Sequence, residues 1–360
     1  MKLKKTSIIL AVFLPIQVLL IQELSNYTEA IENYYSNGIY PYISQFLRII
    51  LGWIPFSFGD VLLFILVCTG LRFLILLVKN RFRNLIPKTI NIAALLSVIH
   101  FCFYLFWGLN YYRKPLSENL NYTEKKYTNK ELTTTINKIV AELNSYQLKI
   151  TKNDTIKVEN PFKVKEMYCI ALASYENLAK EYPKLKYEHK SVKNSLMSLL
   201  QTYNGTSGYI NPITGEAQIN KRIPKTGLPT TICHEMSHQI GYAAENEANF
   251  IGFLAANLSK NVHFKYSSYR MAFSYCIREL GKRNPEQAKI IWKKVNQGVI
   301  KDYNASYRFW KSYKNPFEPW VKKGYNAYLK ANNQTKGIAS YNYVVDLLIS
   351  YFKDIPNINM

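Results

Sequence analysis

The hydrophobic positions of this chain follow two patterns, and the change between them falls near residue 110. Before that point, three apolar runs with few charges occupy residues 6–22, 57–78 and 89–109. The second and third runs have about 20 residues each, enough for a helix to cross a bilayer core of roughly 30 Å. The pattern predicts a membrane anchor over residues 1–110 with three transmembrane helices, at about those positions.

The first run is the shortest, contains Pro15 and follows a lysine cluster, as the start of a cleaved signal peptide would. No small-residue cleavage motif follows it, so we expect a retained anchor. Basic residues lie at the N-terminus and in the loop at 79–88, whereas the loop at 23–56 is acidic. Because basic loops stay in the cytoplasm, residues after 109 are expected on the extracytoplasmic side of the inner membrane. Residues 40–53 fit an interfacial helix, a re-entrant segment or a lid.

Beyond residue 110 the apolar positions recur with helical spacing, which predicts one mainly helical domain over residues 111–360. Thr128 and Glu131 have capping-box spacing at the start of the first of these helices. Residues 207–220 contain two short runs around a turn rich in Asn, Pro and Gly, which predicts a hairpin or small sheet. Further helical patterns cover residues 162–182, 191–200, 266–280, 285–299, 316–330 and 341–352.

The residues at 234–238 read His-Glu-Met-Ser-His, the pattern HExxH. On a helix, His234 and His238 lie on one face and can bind one metal ion together. Glu235, one position further round, can then accept a proton from water at that ion. The alternative is a solvated polar face. The apolar positions of the same segment favour a helix packed against a core.

Two histidines are an incomplete zinc site, because a catalytic zinc ion has three protein ligands and an open position for water. The next helical pattern begins with Glu245 and contains Glu247, and either carboxylate can serve as the third ligand. Only six residues separate His238 from Glu245.

These residues resemble the Glu-zincin metallopeptidases, in which HExxH is followed by Glu-x-x-x-Asp/Asn on a second helix. The resemblance implies that Glu245 binds zinc and that Asn249 contacts and positions one of the metal ligands without binding the metal itself. In most relatives the excursion before this helix is much longer, so Glu247 stays open as the third ligand. The hairpin resembles the edge strand on which zincins align substrates, although an ordinary surface hairpin would read the same way.

The chain also resembles an uncharacterised group of bacterial membrane proteins regarded as zinc peptidases, along most of its length. The implied function is a membrane-anchored, zinc-dependent metallopeptidase with a zincin-like α+β domain, acting on peptides or proteins in the cell envelope. Tyr209 and Tyr341 are candidate donors to the oxyanion that forms during hydrolysis. Two alternatives stay open: a zinc hydrolase of another envelope substrate, and a non-catalytic protein with a structural metal site.

The net charge of +22 and the five cysteines add little to this picture. The lysines are scattered along helices, which is typical of solvated faces, and no nucleic-acid-binding motif is present. The cysteines lack metal-site spacing and lie in apolar runs, which indicates small buried hydrophobic residues and no disulfide framework. The expected partners are therefore the lipid bilayer and a polypeptide substrate, and the sequence carries no indication of oligomeric state.

Overall fold

The computed structural model of the protein describes residues 4–120, Tyr122 and 127–354, and these residues are mainly helical. The helices are α1 (Lys5–Leu24), α2 (Thr28–Ala30), α3 (Tyr40–Gly52), α4 (Phe58–Lys79), α5 (Leu85–Phe106), α6 (Leu116–Asn119), α7 (Asn129–Thr151), α8 (Val164–Glu181), α9 (Ser198–Tyr203), α10 (Leu228–Gln239), α11 (Glu245–Asn257), α12 (Val262–Arg283), α13 (Pro285–Trp292), α14 (Gln297–Ser312), α15 (Glu318–Ala331) and α16 (Val344–Asp354). The strands are β1 (Val192–Asn194), β2 (Gly208–Ile210) and β3 (Ala217–Ile219). A π-helix covers Ile31–Ile39, and 3₁₀ segments cover Gly108–Tyr112, Pro183–Leu185 and Gly337–Tyr343.

Among the described residues, α1, α4 and α5 are long and apolar enough to cross a membrane, and they lie at the positions of the three predicted apolar helices. Helices α1 and α5 pack together, and Nε2 of Gln17 donates a hydrogen bond to Oγ of Ser97 at 2.8 Å between them. None of the apolar window of α4 is buried against the described residues. Since apolar helices of this length belong in lipid, the chain is associated with a membrane.

The main core of the remaining domain lies between α7, α8, α10, α11, α12 and α16. Helix α7 begins with the predicted capping box, in which Thr128 and Glu131 bond to each other's backbone N–H groups. Helix α10 lies in the middle of this core, packed against α11, α12 and the sheet. The surrounding helices therefore fix the position of the HExxH segment.

The described residues form one three-stranded sheet in the order β1-β3-β2. Strand β2 pairs antiparallel with β3, which confirms the predicted hairpin, and β1 adds to the other side of β3 in parallel. The helix predicted over residues 191–200 is wrong in its first half, which forms β1. Residues 192–194 form a strand because β3, 25 positions further along the chain, offers them a partner: Val192 pairs with Ala217 and Asn194 with Ile219. Local periodicity does not register a partner at that distance.

Residues of the membrane anchor share a second, smaller core with the domain. Tyr35 and Tyr40 meet Trp107 and Tyr111 there, together with Ala243 from the turn before α11. The outer side of α3 carries exposed aromatic residues, while its inner side packs on the domain. Residues 40–52, for which the sequence left three possibilities open, therefore form a helix with one face on the domain and the other exposed.

Candidate metal centre

Helix α10, which carries the HExxH segment, is buried along most of its length. Pro229 occupies its first turn, where a missing backbone N–H costs nothing. Ile232 and Met236 are fully buried and hold one face of the helix against the core. Their spacing leaves His234 and His238 together on a neighbouring face, as helical periodicity requires.

Three potential ligand atoms meet between α10 and α11. Nε2 of His234 and Nε2 of His238 lie 3.1 Å apart. Oε2 of Glu245 lies 3.3 Å from the first of these nitrogens and 3.7 Å from the second. In a tetrahedral zinc site with bonds of about 2.0–2.1 Å, ligand atoms are about 3.3–3.4 Å apart. The observed triangle has the size of one face of such a tetrahedron.

A glycine allows the two helices to come this close. A Cβ atom on Gly252 of α11 would lie 3.0 Å from the backbone nitrogen of His234 and 3.2 Å from the carbonyl oxygen of Thr230. Any larger residue would push α11 away from α10. The close approach places Glu245, at the start of α11, beside both imidazoles.

Hydrogen bonds behind the ligands orient two of them. Nδ1 of His238 lies 2.7 Å from the carbonyl oxygen of Tyr242, so this nitrogen carries the proton and donates it. The lone pair of Nε2 then faces the other ligands. Oε1 of Glu245 accepts a hydrogen bond from the hydroxyl of Tyr325 at 2.7 Å, which leaves Oε2 facing the imidazoles. Such support is a regular feature of metal sites in proteins.

Glu235 lies beside this triangle and on the side of the sheet. One ligand atom from each of His234, Glu235 and His238 lies within 4.8 Å of the other two, so this trio could hold a metal ion. A Cβ atom on Gly208 of β2 would lie 2.7 Å from Oε1 of Glu235. Among the described residues, no hydrogen-bond donor reaches the buried Oε2 of Glu235 or Oε2 of Glu245. Buried carboxylate oxygens without donors are rare, and they indicate a site for a ligand.

The electrostatic field at the triangle is negative. Burial by itself would lower the pKa of His238, but the Glu245 carboxylate outweighs it and raises that pKa to about 9. Burial would raise the pKa of Glu245, but the two imidazoles hold it well below its ordinary value. Burial dominates at Glu235 and raises its pKa. The same field that favours a proton on an imidazole also favours a cation at this point.

The alternative third ligand faces elsewhere. Oε1 of Glu247 accepts a hydrogen bond from the backbone N–H of Leu116 at 2.7 Å, on another side of α11. Burial raises the pKa of Glu247 to about 7. Asn249, which the zincin pattern places behind a ligand, donates to the hydroxyl of Tyr275 at 3.2 Å. The geometry therefore brings Glu245, and not Glu247, to the two histidines.

Side chains from α3 and from the end of α5 cap the C-terminal end of α10. The carbonyl oxygen of His238 accepts hydrogen bonds from Nε1 of Trp107 at 3.1 Å and from the hydroxyl of Tyr40 at 3.3 Å. The carbonyl oxygen of Gln239 accepts from Oγ of Ser44 at 2.7 Å and from Tyr40 at 3.0 Å. These donors satisfy carbonyl groups that a helix end leaves free. The second histidine is thus anchored directly to α3 and to the end of α5.

The tyrosines near the site differ from those chosen in the sequence. Tyr209 of β2 donates to the Asp60 carboxylate in the first turn of α4. The side chain of Tyr341 lies outside the described residues. Tyr325, which the sequence analysis did not select, reaches Glu245 across 80 positions of sequence. In the sequence, Tyr325 is only one position of the helical pattern over residues 316–330, and this pattern does not distinguish it from the other tyrosines.

Comparison with known proteins places the chain in a family. Residues 35–349 match the family model described as "Protein of unknown function (DUF3810)". The chain belongs to the DUF3810 family. The match includes α4, α5, the sheet and every residue of the candidate metal centre, so this centre lies in the region that defines DUF3810. No curated protein and no solved structure matches the chain.

Proposed function

We propose that this DUF3810 protein is a membrane-anchored, zinc-dependent metallopeptidase. His234, His238 and Glu245 would hold the ion, and Glu235 would act as the general base. The observation that supports this most directly is the triangle of two imidazole nitrogens and one carboxylate oxygen, 3.1–3.7 Å apart and buried. Two nitrogen ligands and one oxygen ligand at this spacing fit zinc better than calcium or magnesium, which prefer all-oxygen sites.

Bound there, a zinc ion would supply Lewis acidity toward a peptide carbonyl group and toward water. Glu235 would supply the proton transfer. Its Oε2, which no donor among the described residues contacts, can take a proton from water as the water oxygen bonds to the carbonyl carbon. The same carboxyl group can then give that proton to the amide nitrogen as the carbon–nitrogen bond breaks. Water is consumed, and a carboxylic acid and an amine are formed.

The position of β2 supports a polypeptide substrate. This strand pairs with β3 along one edge, and no other strand of the described residues pairs with its second edge. An extended peptide can add to such an edge by backbone hydrogen bonds. Since Gly208 of β2 lies against Glu235, a peptide on this edge would pass beside the general base.

We also propose that the site lies outside the cytoplasm, on the outer side of the inner membrane. The basic residues Lys79, Arg81, Arg83 and Lys88 lie in and around the turn that joins α4 to α5. The opposite ends of these two helices contact the domain. The start of α4 bonds to Glu216, and the end of α5 bonds to His238. The positive-inside rule then assigns the basic turn to the cytoplasm and the domain to the other side.

Replacement of Glu235 by Gln tests the catalytic role. Full-length protein in lipid nanodiscs would be assayed with fluorescent peptide libraries and with envelope-polymer fragments. We expect Glu235→Gln to keep stoichiometric zinc and to lose roughly 10²–10⁴-fold in turnover, the usual range for general acid–base catalysis. Glu286→Gln, at an exposed position of α13, is the control and should retain wild-type turnover.

Other outcomes separate the alternatives. Cleavage of an envelope polymer without cleavage of any peptide would identify a hydrolase of another class. Unchanged turnover in Glu235→Gln would remove the support for catalysis. A structural metal site would also be indicated if the zinc-loaded wild type hydrolyses no substrate and Glu235→Gln has no cellular phenotype.

A further inference from the structure

Large apolar side chains are exposed on α9 and α15, outside the segments that cross the membrane. Those on and beside α9 are Leu196, Leu199 and Leu200, and Leu196 is 60% exposed. Those on and beside α15 are Phe317, Trp320 and Val321, and Trp320 is 74% exposed. We refer to these six residues as the apolar band. Exposed apolar residues grouped in this way mark a surface that contacts something other than water.

The two parts of the apolar band adjoin each other. Nδ2 of Asn315 donates a hydrogen bond to the carbonyl oxygen of Tyr203 at 2.8 Å, which joins the segment before α15 to the end of α9. The rings of Tyr203 and Tyr313 pack edge to face, with centroids 5.3 Å apart. The band is therefore one surface formed by two helices, and not two separate patches.

One part of the band, and the far end of α15, are hydrogen-bonded to the ends of two membrane spans. The backbone N–H of Leu196 donates to Oδ2 of Asp60, in the first turn of α4, at 2.7 Å. The hydroxyl of Tyr104, in the last turn of α5, donates to Oδ1 of Asn332 at 3.1 Å, just after α15. The band thus adjoins the start of α4 directly, and α15, which carries its other part, ends beside the end of α5, on the side of the membrane that carries the domain.

Helix α15 has the composition of a helix that lies on a membrane surface. Phe317, Trp320 and Val321 are spaced three and four positions apart and share one face of the helix. Lys323 adjoins that face and is suited to anionic lipid headgroups, while Lys322 pairs with Glu318. Tyr325 and Leu329 lie toward the protein, since Tyr325 bonds to Glu245 and Leu329 is fully buried.

We propose that the apolar band rests on the outer leaflet of the membrane that α1, α4 and α5 cross, and holds the metal centre close to the lipid surface. Continuity with the ends of α4 and α5 is the reason to assign lipid, and not a second copy of the chain, as the occupant. Both helices of the band lead to the metal centre. Helix α9 leads directly into the edge strand β2, and α15 reaches the centre through Tyr325.

The contact between the apolar band and lipid also implies a class of substrate, and this inference rests on the proposed function. A polypeptide that adds to β2 would lie between the sheet and α15, at the height of the lipid headgroups. The preferred substrates would then be polypeptides held at the bilayer surface by their own membrane anchor. Tethering raises their local concentration at the site, so that they are cleaved faster than the same sequence free in solution.

Depth-dependent quenching tests the lipid contact without any assay of activity. Full-length protein lacking the exposed or partly exposed Cys68, Cys102 and Cys169 would carry a fluorophore at Trp320→Cys. The control would carry it at Ile290→Cys, an exposed apolar position on α13, which packs on α12. Both would be reconstituted in vesicles of phosphatidylcholine and phosphatidylglycerol that contain nitroxide-labelled lipid.

We expect severalfold stronger quenching at position 320 than at position 290. Equal quenching at the two positions would overturn the lipid contact. Energy transfer between copies labelled at position 320, without quenching by lipid, would also overturn it and would identify a second copy as the occupant. The substrate class would be tested with Trp320→Glu and Ile290→Glu. Trp320→Glu should slow cleavage of a lipid-anchored peptide several times more than cleavage of the free peptide, and Ile290→Glu should change neither.

The two proposals fail in different ways. If wild type cleaves lipid-anchored and free forms of one peptide at equal rates, the substrate class is wrong. If no peptide is cleaved at all, the proposed function is wrong, while the quenching result still decides whether the band meets lipid.

Discussion

The carboxylate of Glu235 lies so close to the backbone of Gly208 that a Cβ atom on that glycine would be 2.7 Å from Oε1. The general base proposed for this protein is therefore positioned by the edge strand as well as by its own helix. The same Cβ atom would lie 2.8 Å from Cγ of Glu235, so a methyl group at position 208 would displace most of that side chain and not the carboxylate alone. The contact links the proposed substrate strand to the proposed proton acceptor.

Replacement of Gly208 by Ala should therefore lower turnover. We expect a loss of about tenfold to a hundredfold in turnover, since a displacement of about 1 Å at a reacting group can cost that much. Zinc content should stay stoichiometric. Gly281→Ala is the matched control, because nothing within 4 Å opposes a Cβ atom there. Wild-type turnover in Gly208→Ala would show that the contact does not position Glu235.

Tyr325 should control how tightly the metal is held. Its hydroxyl donates to Oε1 of Glu245 at 2.7 Å, and Tyr325→Phe removes only that donor. Loss of a group that orients a metal ligand commonly weakens metal affinity by about 10–100-fold. Competition with a chelator would measure the change. Tyr307→Phe, at an exposed tyrosine of α14, should bind zinc as wild type does, and equal affinity in both variants would contradict the role of Tyr325.

A buried ion pair should make the link between anchor and domain sensitive to acid. Both carboxylate oxygens of Glu32, in the π-helix, accept hydrogen bonds from the Arg113 guanidinium, at 2.8 and 3.1 Å. Arg113 also donates to the carbonyl oxygen of Gly241, in the turn after α10. Burial alone would raise the pKa of Glu32, but Arg113 outweighs it, and the pKa lies below its ordinary value.

A lowered pKa means that the pair stabilises the folded protein above the ordinary glutamate pKa, and that this stabilisation is lost as pH falls through the lowered value. Glu32→Gln should therefore unfold at a lower temperature than wild type near pH 7, by an amount that reflects about 3–5 kcal/mol for breaking a buried pair. The difference should shrink below about pH 4. Glu29→Gln, at an exposed carboxylate that pairs with Lys114, should leave the unfolding temperature unchanged. A difference that stays constant down to pH 2 would contradict this account.

The parts of the site that sequence could predict are those encoded within a few helical turns. His234 and His238 share a face because four residues separate them, and Glu245 follows at the start of the next helix. The hairpin was readable from its turn residues, and the three spans from their length and composition. In each case the signal and the structure lie in the same short stretch of chain.

The supporting contacts could not be predicted because they join distant segments. Tyr40 and Trp107 cap the helix of His238 from 198 and 131 positions away. Tyr209 was a reasonable candidate for the oxyanion, but it bonds to Asp60 because the sheet lies on the start of α4. Periodicity assigns each of these side chains to a helix or strand, and only the packing of those elements shows what it meets.

The central claim is that His234, His238 and Glu245 hold one zinc ion, and metal analysis of the purified full-length protein tests it most directly. We predict stoichiometric zinc in the wild type and in Glu247→Gln, because the Glu247 carboxylate faces Leu116 and not the histidines. We predict loss of zinc in His238→Ala and in Glu245→Ala. A wild-type protein that binds no zinc would contradict the account. So would tight zinc in Glu245→Ala together with its loss in Glu247→Gln, since the third ligand would then be the other carboxylate.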